Sequence, residues 1–349
     1  MKRILTIGAA MVLATSAQAQ VPTLTHEFAQ AGGGGDLSSR HLAEVASARK
    51  IATIQVQGGK TLTRSVQQVA ERKTDITSMP LVLSFLMSKG LGPYSGLGKE
   101  KGAKLAANLR LLYPYWGTTS FYLIAYANTG IDSWDKIKGK TIFNGPPRGG
   151  ALNTSRAIVR LTTGMGDGKG YTGKQIAWGQ ASAIFLDGSV DAAVRPGTNP
   201  ASWMPVLMAA GKINLVSIPK AKWEGPAFQK FLKAPGNAPA LFPVGEFGHY
   251  GANVNVISED GMFRGVSATF GDGVHKDMPK GLAKALTKAF IDTVGELHKK
   301  APFAKGLLFG KTDDKLMGLC NAKVVYHPGA VEAWEEAGHK IAECAKPKS

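Results

Sequence analysis

Short apolar runs alternate along this chain with segments whose apolar residues recur every third or fourth position, the spacing of one helix face. Thr23-Leu24-Thr25-His26-Glu27-Phe28-Ala29 reads as a first strand that ends in Gly32-Gly33-Gly34-Gly35-Asp36. Leu42, Val45 and Ala46 follow at helical spacing. Ile51-Ala52-Thr53-Ile54-Gln55-Val56 reads as a second strand, and Leu62, Val66, Val69 and Ala70 form the next helix stripe. This rhythm predicts parallel strands with helices packed on the sheet, an α/β fold. Residues 88–102 hold five glycines and little else that could pack, and read as a mobile surface loop.

The second half repeats the rhythm. Tyr122-Leu123-Ile124-Ala125-Tyr126-Ala127 predicts a strand, and Trp134 with Ile137 a short helix. The strand Thr141-Ile142-Phe143 runs into Asn144-Gly145-Pro146-Pro147-Arg148-Gly149-Gly150, and a helix carrying Leu152, Ile158, Val159 and Leu161 follows. Val190-Asp191-Ala192-Ala193-Val194 predicts a strand ending at Arg195-Pro196-Gly197. Residues 219–250 are rich in Pro and Gly and show no clear period. Asp277-Met278-Pro279 is a helix start, with Leu282, Leu286, Phe290, Val294 and Leu297 on one face. His327-Pro328-Gly329 opens a last helix bearing Val331, Trp334 and Ile341.

The N-terminus has a pattern of its own. Lys2 and Arg3 precede an apolar run from Ile4 to Ala14, and Ala17-Gln18-Ala19 offers small residues before Gln20. That is the form of a secretory signal peptide, cleaved after Ala19. The run is too short for a bilayer span, which needs about 20 residues. An uncleaved anchor or a buried helix is the alternative. Export to the periplasm would set aside chemistry that depends on cytoplasmic ATP or NAD. The mature chain of about 330 residues suits two domains. It would be a monomer.

Charge changes the picture less than its size suggests. The formal charge is +17, but the basic residues are scattered, and no nucleic-acid-binding module or basic–aromatic run occurs. The field favours encounter with anions. Two cysteines only, Cys320 and Cys344, in an exported chain favour one disulfide, with two buried thiols as the alternative.

Motifs for catalysis fail on spacing. Gly59-Lys60-Thr61 lacks the glycine five places earlier, where Ile54 stands. The Gly32–Gly35 run does not complete a dinucleotide fingerprint, since Leu37 and Ser38 break it. There is no H-E-x-x-H, no C-x-x-C and no G-x-S-x-G, and the seven histidines are dispersed, so neither a metal nor a cofactor is expected. Instead, glycine-rich turns sit at the C-terminal ends of strands just before helices, in both halves. Such turns expose backbone N–H groups at helix N-termini, where carboxylates bind. Ligands of open α/β sheets sit there.

In order and spacing these segments resemble the solute-binding proteins of tripartite ATP-independent periplasmic (TRAP) transporters, TAXI type, over essentially the whole mature chain. The resemblance is carried by Gly34-Gly35-Asp36, Asn108-Leu109-Arg110-Leu111-Leu112, Gly130-Ile131-Asp132-Ser133 with Lys138-Gly139-Lys140, Gly145-Pro146-Pro147-Arg148-Gly149-Gly150-Ala151, Pro243-Val244-Gly245-Glu246-Phe247-Gly248 and His327-Pro328-Gly329-Ala330. It implies an α/β two-lobe periplasmic binding protein, type II-like, with a hinge and a ligand cleft between the lobes: residues 20–120 plus 265–349 in lobe one, residues 121–264 in lobe two, and the chain crossing near Phe121 and again near 265–270. It also implies hinge closure on a small solute and delivery to integral membrane TRAP permease subunits, driven by an ion gradient.

Departures from the family pattern bear on the solute. Asp36 stands for a threonine, Leu37 and Ser38 for tyrosines, Arg148 for a glycine, and Gly149 and Ala151 for a serine and a threonine. The pocket is expected from Gly34, Gly35, Asp36, Ser38, Tyr115, Pro147, Arg148, Gly149, Gly150, Arg195, Gly197 and Thr198. Tyr113, Tyr115, Trp116 and Trp203 could wall it or serve the core. Arg148 would hold a carboxylate, or it faces solvent. The solute is expected to be a small carboxylate-bearing anion or amino acid, an amino acid serving Arg148 and Asp36 together and ranking slightly above a plain dicarboxylate. An exported hydrolase or transferase on a similar scaffold is the rival reading, and a basic adhesion protein a third.

Overall fold

The computed structural model describes residues 21–116, 120–301, 304, 306–313 and 317–348. The expected signal segment, residues 1–19, and its expected cleavage site lie outside them. Two mixed sheets organise the molecule. The first takes β1 (Thr23–Glu27), β2 (Thr53–Gln57), β3 (Ile76–Pro80) and β4 (Leu109–Tyr115) from the N-terminal part of the chain. The chain then builds the second sheet from β5 (Ser120–Tyr126), β6 (Thr141–Phe143), β7 (Gly166–Asp167), β8 (Gly170–Lys174), β9 (Ala192–Gly197) and β10 (Ile213–Val216). After β11 (Asn237–Pro243), β12 (Val254–Ile257) joins that sheet, and β13 (Met262–Ala268) pairs with β11. Last, β14 (Phe270–His275) returns to the first sheet. The orders are β2-β1-β3-β14-β4 and β12-β10-β5-β9-β6-β8-β7.

The expected parallel core is present: β1 pairs in parallel with β2 and β3. Both sheets also contain antiparallel pairs, which the rhythm did not predict. The returning β14 lies antiparallel between β3 and β4, and β5 lies antiparallel between β10 and β9. A returning strand is set by long-range pairing, and its own sequence, Phe-Gly-Asp-Gly-Val-His, is a poor strand former by composition.

Residues 88–102 are not the mobile loop their glycines suggested. They finish the helix Leu81–Lys89, form a 3-10 turn over Gly92–Leu97, and begin the helix Gly98–Ala106. Gly90 caps the first helix at φ 61°, a left-handed position that suits glycine. Tyr94 is buried and its hydroxyl donates to the Thr63 carbonyl at 2.8 Å. Residues 219–250 likewise contain the helices Lys220–Glu224 and Pro226–Leu232 and strand β11.

Each sheet has its own core. On the first, the 21-residue helix Lys280–Lys300 buries Leu286, Phe290 and Leu297, and Phe290 stacks on Tyr113 at 3.6 Å between ring centroids. Burying one such side chain stabilises by about 1.5–3 kcal/mol. The last helix is Pro328–Glu336, so Ile341 is buried beyond its end. Cys320 and Cys344 are joined, with Cα atoms 5.4 Å apart, tying the turn before that helix to the chain after it. Among the described residues no helix is long and apolar enough to cross a membrane.

Candidate ligand cleft

Two helices from different sheets point their first turns into one cleft. The helix Gly34–Ala48 follows β1 and is capped by Gly33; the helix Gly150–Thr163 follows β6 and is capped by Gly149. Neither cap carries a side-chain hydrogen bond. The first N–H groups of a helix have no intrahelical partner and carry partial positive charge. Both ends therefore offer donors to the same space, which encloses about 1170 Å³ of empty volume, open solvent included.

The walls are aromatic and uncharged. Tyr115, Trp116 and Phe270 lie on the first-sheet side; Phe121, Trp178 and Trp203 lie on the other. Among the described residues, none that lines the cleft carries a formal charge. Trp116 Nε1 is buried without a partner among the described residues, and Ser78 Oγ makes no hydrogen bond of good geometry. Gly35 lets the loop descend onto Ser78: a Cβ there would sit 2.6 Å from Ser78 Oγ. Gly197 does the same for the opposite wall, where a Cβ would lie 2.8 Å from the Trp203 ring.

Of the residues expected at the pocket, Gly34, Gly35, Tyr115, Gly149, Gly150, Gly197 and Thr198 line the cleft. The others are placed elsewhere. Asp36 turns back into its own loop, accepting from Gly32 N at 2.8 Å and pairing with Arg40 at 2.5 Å. Pro147 and Arg148 are exposed and outside the lining, with Arg148 at φ 59°. Ser38 lies beneath the floor. There it donates to Asp272 Oδ2 at 2.8 Å, next to Tyr113, whose hydroxyl donates to the same oxygen at 2.7 Å. Tyr115 reaches Asp272 Oδ1 at 3.4 Å, and His26 Nε2 stands 3.5 Å from it. Burial, then the Asp272 charge, pushes both tyrosine hydroxyls well above their ordinary pKa, so they stay neutral donors.

Arg195 occupies the matching position behind the other wall. It is 3% exposed, and its guanidinium lies 4.2 Å from the Trp203 ring centroid and 5.6 Å from that of Trp178. Burial, with no acidic neighbour among the described residues to offset it, presses its pKa down to about 9, so it remains charged at neutral pH. Gln30, Ser78, Trp178 and Phe270 are lining residues that sequence reasoning passed over. Gln30 alone carried a signal: it stands between the first strand and the glycine run, where ligands of open α/β sheets sit.

An NMT1-like family model matches residues 34–338. The chain belongs to the NMT1-like family. Among curated proteins none matches it. This NMT1-like chain is similar to a TRAP periplasmic solute-binding protein from Shewanella oneidensis with bound succinate, at 9% identity over 90% of this chain and 91% of that one, TM-score 0.47. It is similar to a putative periplasmic sulfonate-binding protein of an ABC transporter from Methylobacillus flagellatus, at 12% identity over 91% and 88%, TM-score 0.45. It is also similar to the periplasmic ectoine-binding protein of a TRAP transporter from Halomonas elongata, at 13% identity over 90% of each chain, TM-score 0.42.

Proposed function

We propose that this NMT1-like protein is an extracytoplasmic solute-binding subunit, periplasmic in location, that captures a small organic anion or amino acid and delivers it to TRAP permease subunits in the membrane. One observation carries the reading: two glycine-capped helix N-termini, at Gly34 and Gly150, from elements on different sheets and without side-chain caps, open onto one aromatic-walled cleft whose described lining is uncharged. Backbone donors and helix dipoles bind an anionic head group without a fixed counter-charge. The aromatic walls suit an apolar body. Among the described residues the lining offers no charged acid, base or nucleophile–base pair for covalent chemistry, which favours binding over the hydrolase or transferase reading. TRAP coupling, as against an ATP-driven permease, is supported by the sequence resemblance alone.

The test is calorimetry on the mature protein with succinate, L-glutamate, benzoate and phenylacetate, with phenylacetamide and phenethylamine as neutral and cationic controls. At least one acid should bind, and at a hundred times its Kd it should stabilise the fold by about 2.7 kcal/mol. Binding only of the amine, or turnover of any of these compounds, would refute the reading. Uptake that needs an ion gradient and persists after ATP depletion would separate TRAP from ATP-driven transport.

A further inference from the structure

Arg195 Nη2 and Trp203 Nε1 converge on one terminal atom of the Gln30 side-chain amide, at 2.8 and 2.9 Å. Two donors facing one atom assign that atom as the amide carbonyl, so the NH2 group points away from both. Gln30 lines the cleft, whereas Arg195 does not. Arg195 Nε has no hydrogen-bond partner among the described residues. The guanidinium is therefore screened from the cleft by Gln30 and by the rings of Trp178 and Trp203.

On the ligand-cleft reading above, we propose that Arg195 and Trp203 are positioning residues that lock the Gln30 amide with its N–H groups toward the cleft, where Gln30 binds an anionic oxygen of the solute. The two clamps do different things. Trp203 fixes the plane of the amide. Arg195 polarises it, since a cation bonded to the carbonyl makes the N–H groups stronger donors. The choice of glutamine over glutamate follows. A glutamate would neutralise Arg195 and complete a buried ion pair, but it would present negative oxygen to an anionic solute.

The arrangement also links recognition to closure. Gln30 follows β1 of the first sheet, while Arg195 lies on β9 of the second and Trp203 follows it. The two sides meet again where Ser202 Oγ donates to the Ala31 carbonyl at 3.2 Å. Gln30 is thus an oriented donor only while the two sides are in contact, and an open cleft would leave the amide free to turn.

The experiment compares wild type with Gln30→Glu, Gln30→Leu, Arg195→Met and Arg195→Lys. Unliganded melting comes first: Gln30→Glu should melt above Gln30→Leu, because the glutamate gains Arg195 as a counter-ion. Equal melting of the two would show that no such contact exists and would overturn the proposal. Calorimetry then uses whichever of succinate, L-glutamate, benzoate or phenylacetate binds wild type most tightly. Gln30→Glu and Arg195→Met should each weaken that acid at least ~10-fold, and Arg195→Lys should recover part of the loss by donating to the same carbonyl. The acid should lose more than phenylacetamide does, a split that a general loss of structure would not produce. Undiminished binding to Gln30→Glu would overturn the proposal while leaving the solute-binding reading intact. Tighter binding to Gln30→Leu would overturn it too, because the solute would then be displacing Gln30 to reach Arg195 directly. Failure of wild type to bind any of the four acids would remove both.

Discussion

Two fully buried charges flank the cleft, and the protein treats them in opposite ways. Asp272, under the first-sheet floor, is surrounded by neutral donors: Ser38 and Tyr113 hydrogen-bond one oxygen, and Tyr115 reaches the other. Arg195, behind the second-sheet wall, has ring faces around it and one amide from across the cleft. Three of the floor's strands meet at Asp272, which pairs in register with Ser78 on one side and Tyr113 on the other. The carboxylate is thus satisfied within its own sheet, while the guanidinium donates to an acceptor from the other half of the molecule. A charge satisfied locally stiffens its element, whereas one completed across a cleft couples two elements. The first belongs to the scaffold and the second to recognition.

The largest expected effect breaks the first half of this comparison. Asp272→Ala leaves the Ser38 and Tyr113 hydroxyls buried without their acceptor, each costing about 1–3 kcal/mol. Urea unfolding should show a loss of roughly 2–5 kcal/mol. A change under about 1 kcal/mol would mean the floor is not held by its carboxylate.

Arg195→Met should behave in the opposite sense. Replacing a buried cation that lacks an acid partner by an apolar chain is often neutral or stabilising. The cation–π contacts forfeited are worth up to about 2 kcal/mol, so the two effects nearly cancel. Unfolding free energy should stay within about 1 kcal/mol of wild type even as acid binding fails. A loss as large as that of Asp272→Ala would make Arg195 a scaffold residue and erase the distinction.

The smallest effect is in pH. His41, His275 and His327, all on or against first-sheet elements, are held below the ordinary imidazole pKa of 6.5, chiefly by burial. The unfolded chain then takes up protons before the native one as pH falls. Stability should drop as pH passes below 6.5 and on through the lower native values. Calorimetric melts between pH 7 and pH 5 should show the first-sheet half losing stability ahead of the second. His41→Gln should blunt the trend, and a pH-independent melt would contradict it.

Much of the fold was legible because local signals and burial agree. The Leu42, Val45, Ala46 stripe and the glycines before it placed the first helix, and the run into Gly149-Gly150 placed its counterpart. Residues 88–102 misled because glycine count was read as mobility; there the glycines serve a left-handed cap at Gly90 and a close helix contact at Gly102, where a Cβ would collide with the Met87 carbonyl. In the cleft, the backbone positions were easier to anticipate than the side chains. A glycine turn must lie at a strand end wherever its side chains point, so Gly34, Gly35, Gly149 and Gly150 could be placed from order alone. Asp36 and Arg148 sit in the same loops, yet one folds back onto Gly32 and Arg40 and the other faces solvent.

By itself the sequence determined what depends on neighbours along the chain: the alternation of strands and helices, the glycine caps, and the residues able to form one disulfide. Tertiary structure alone decided what depends on residues far apart: the return of β14 into the first sheet, the burial of Asp272 among hydroxyls 159 and 234 positions away, and the meeting of Gln30 with Arg195 and Trp203. The physical reason is that periodicity and capping act over a few residues of backbone. A buried charge is settled by whichever groups the folded chain brings within hydrogen-bond distance, and loop entropy that grows only slowly with length lets those groups come from anywhere in the sequence.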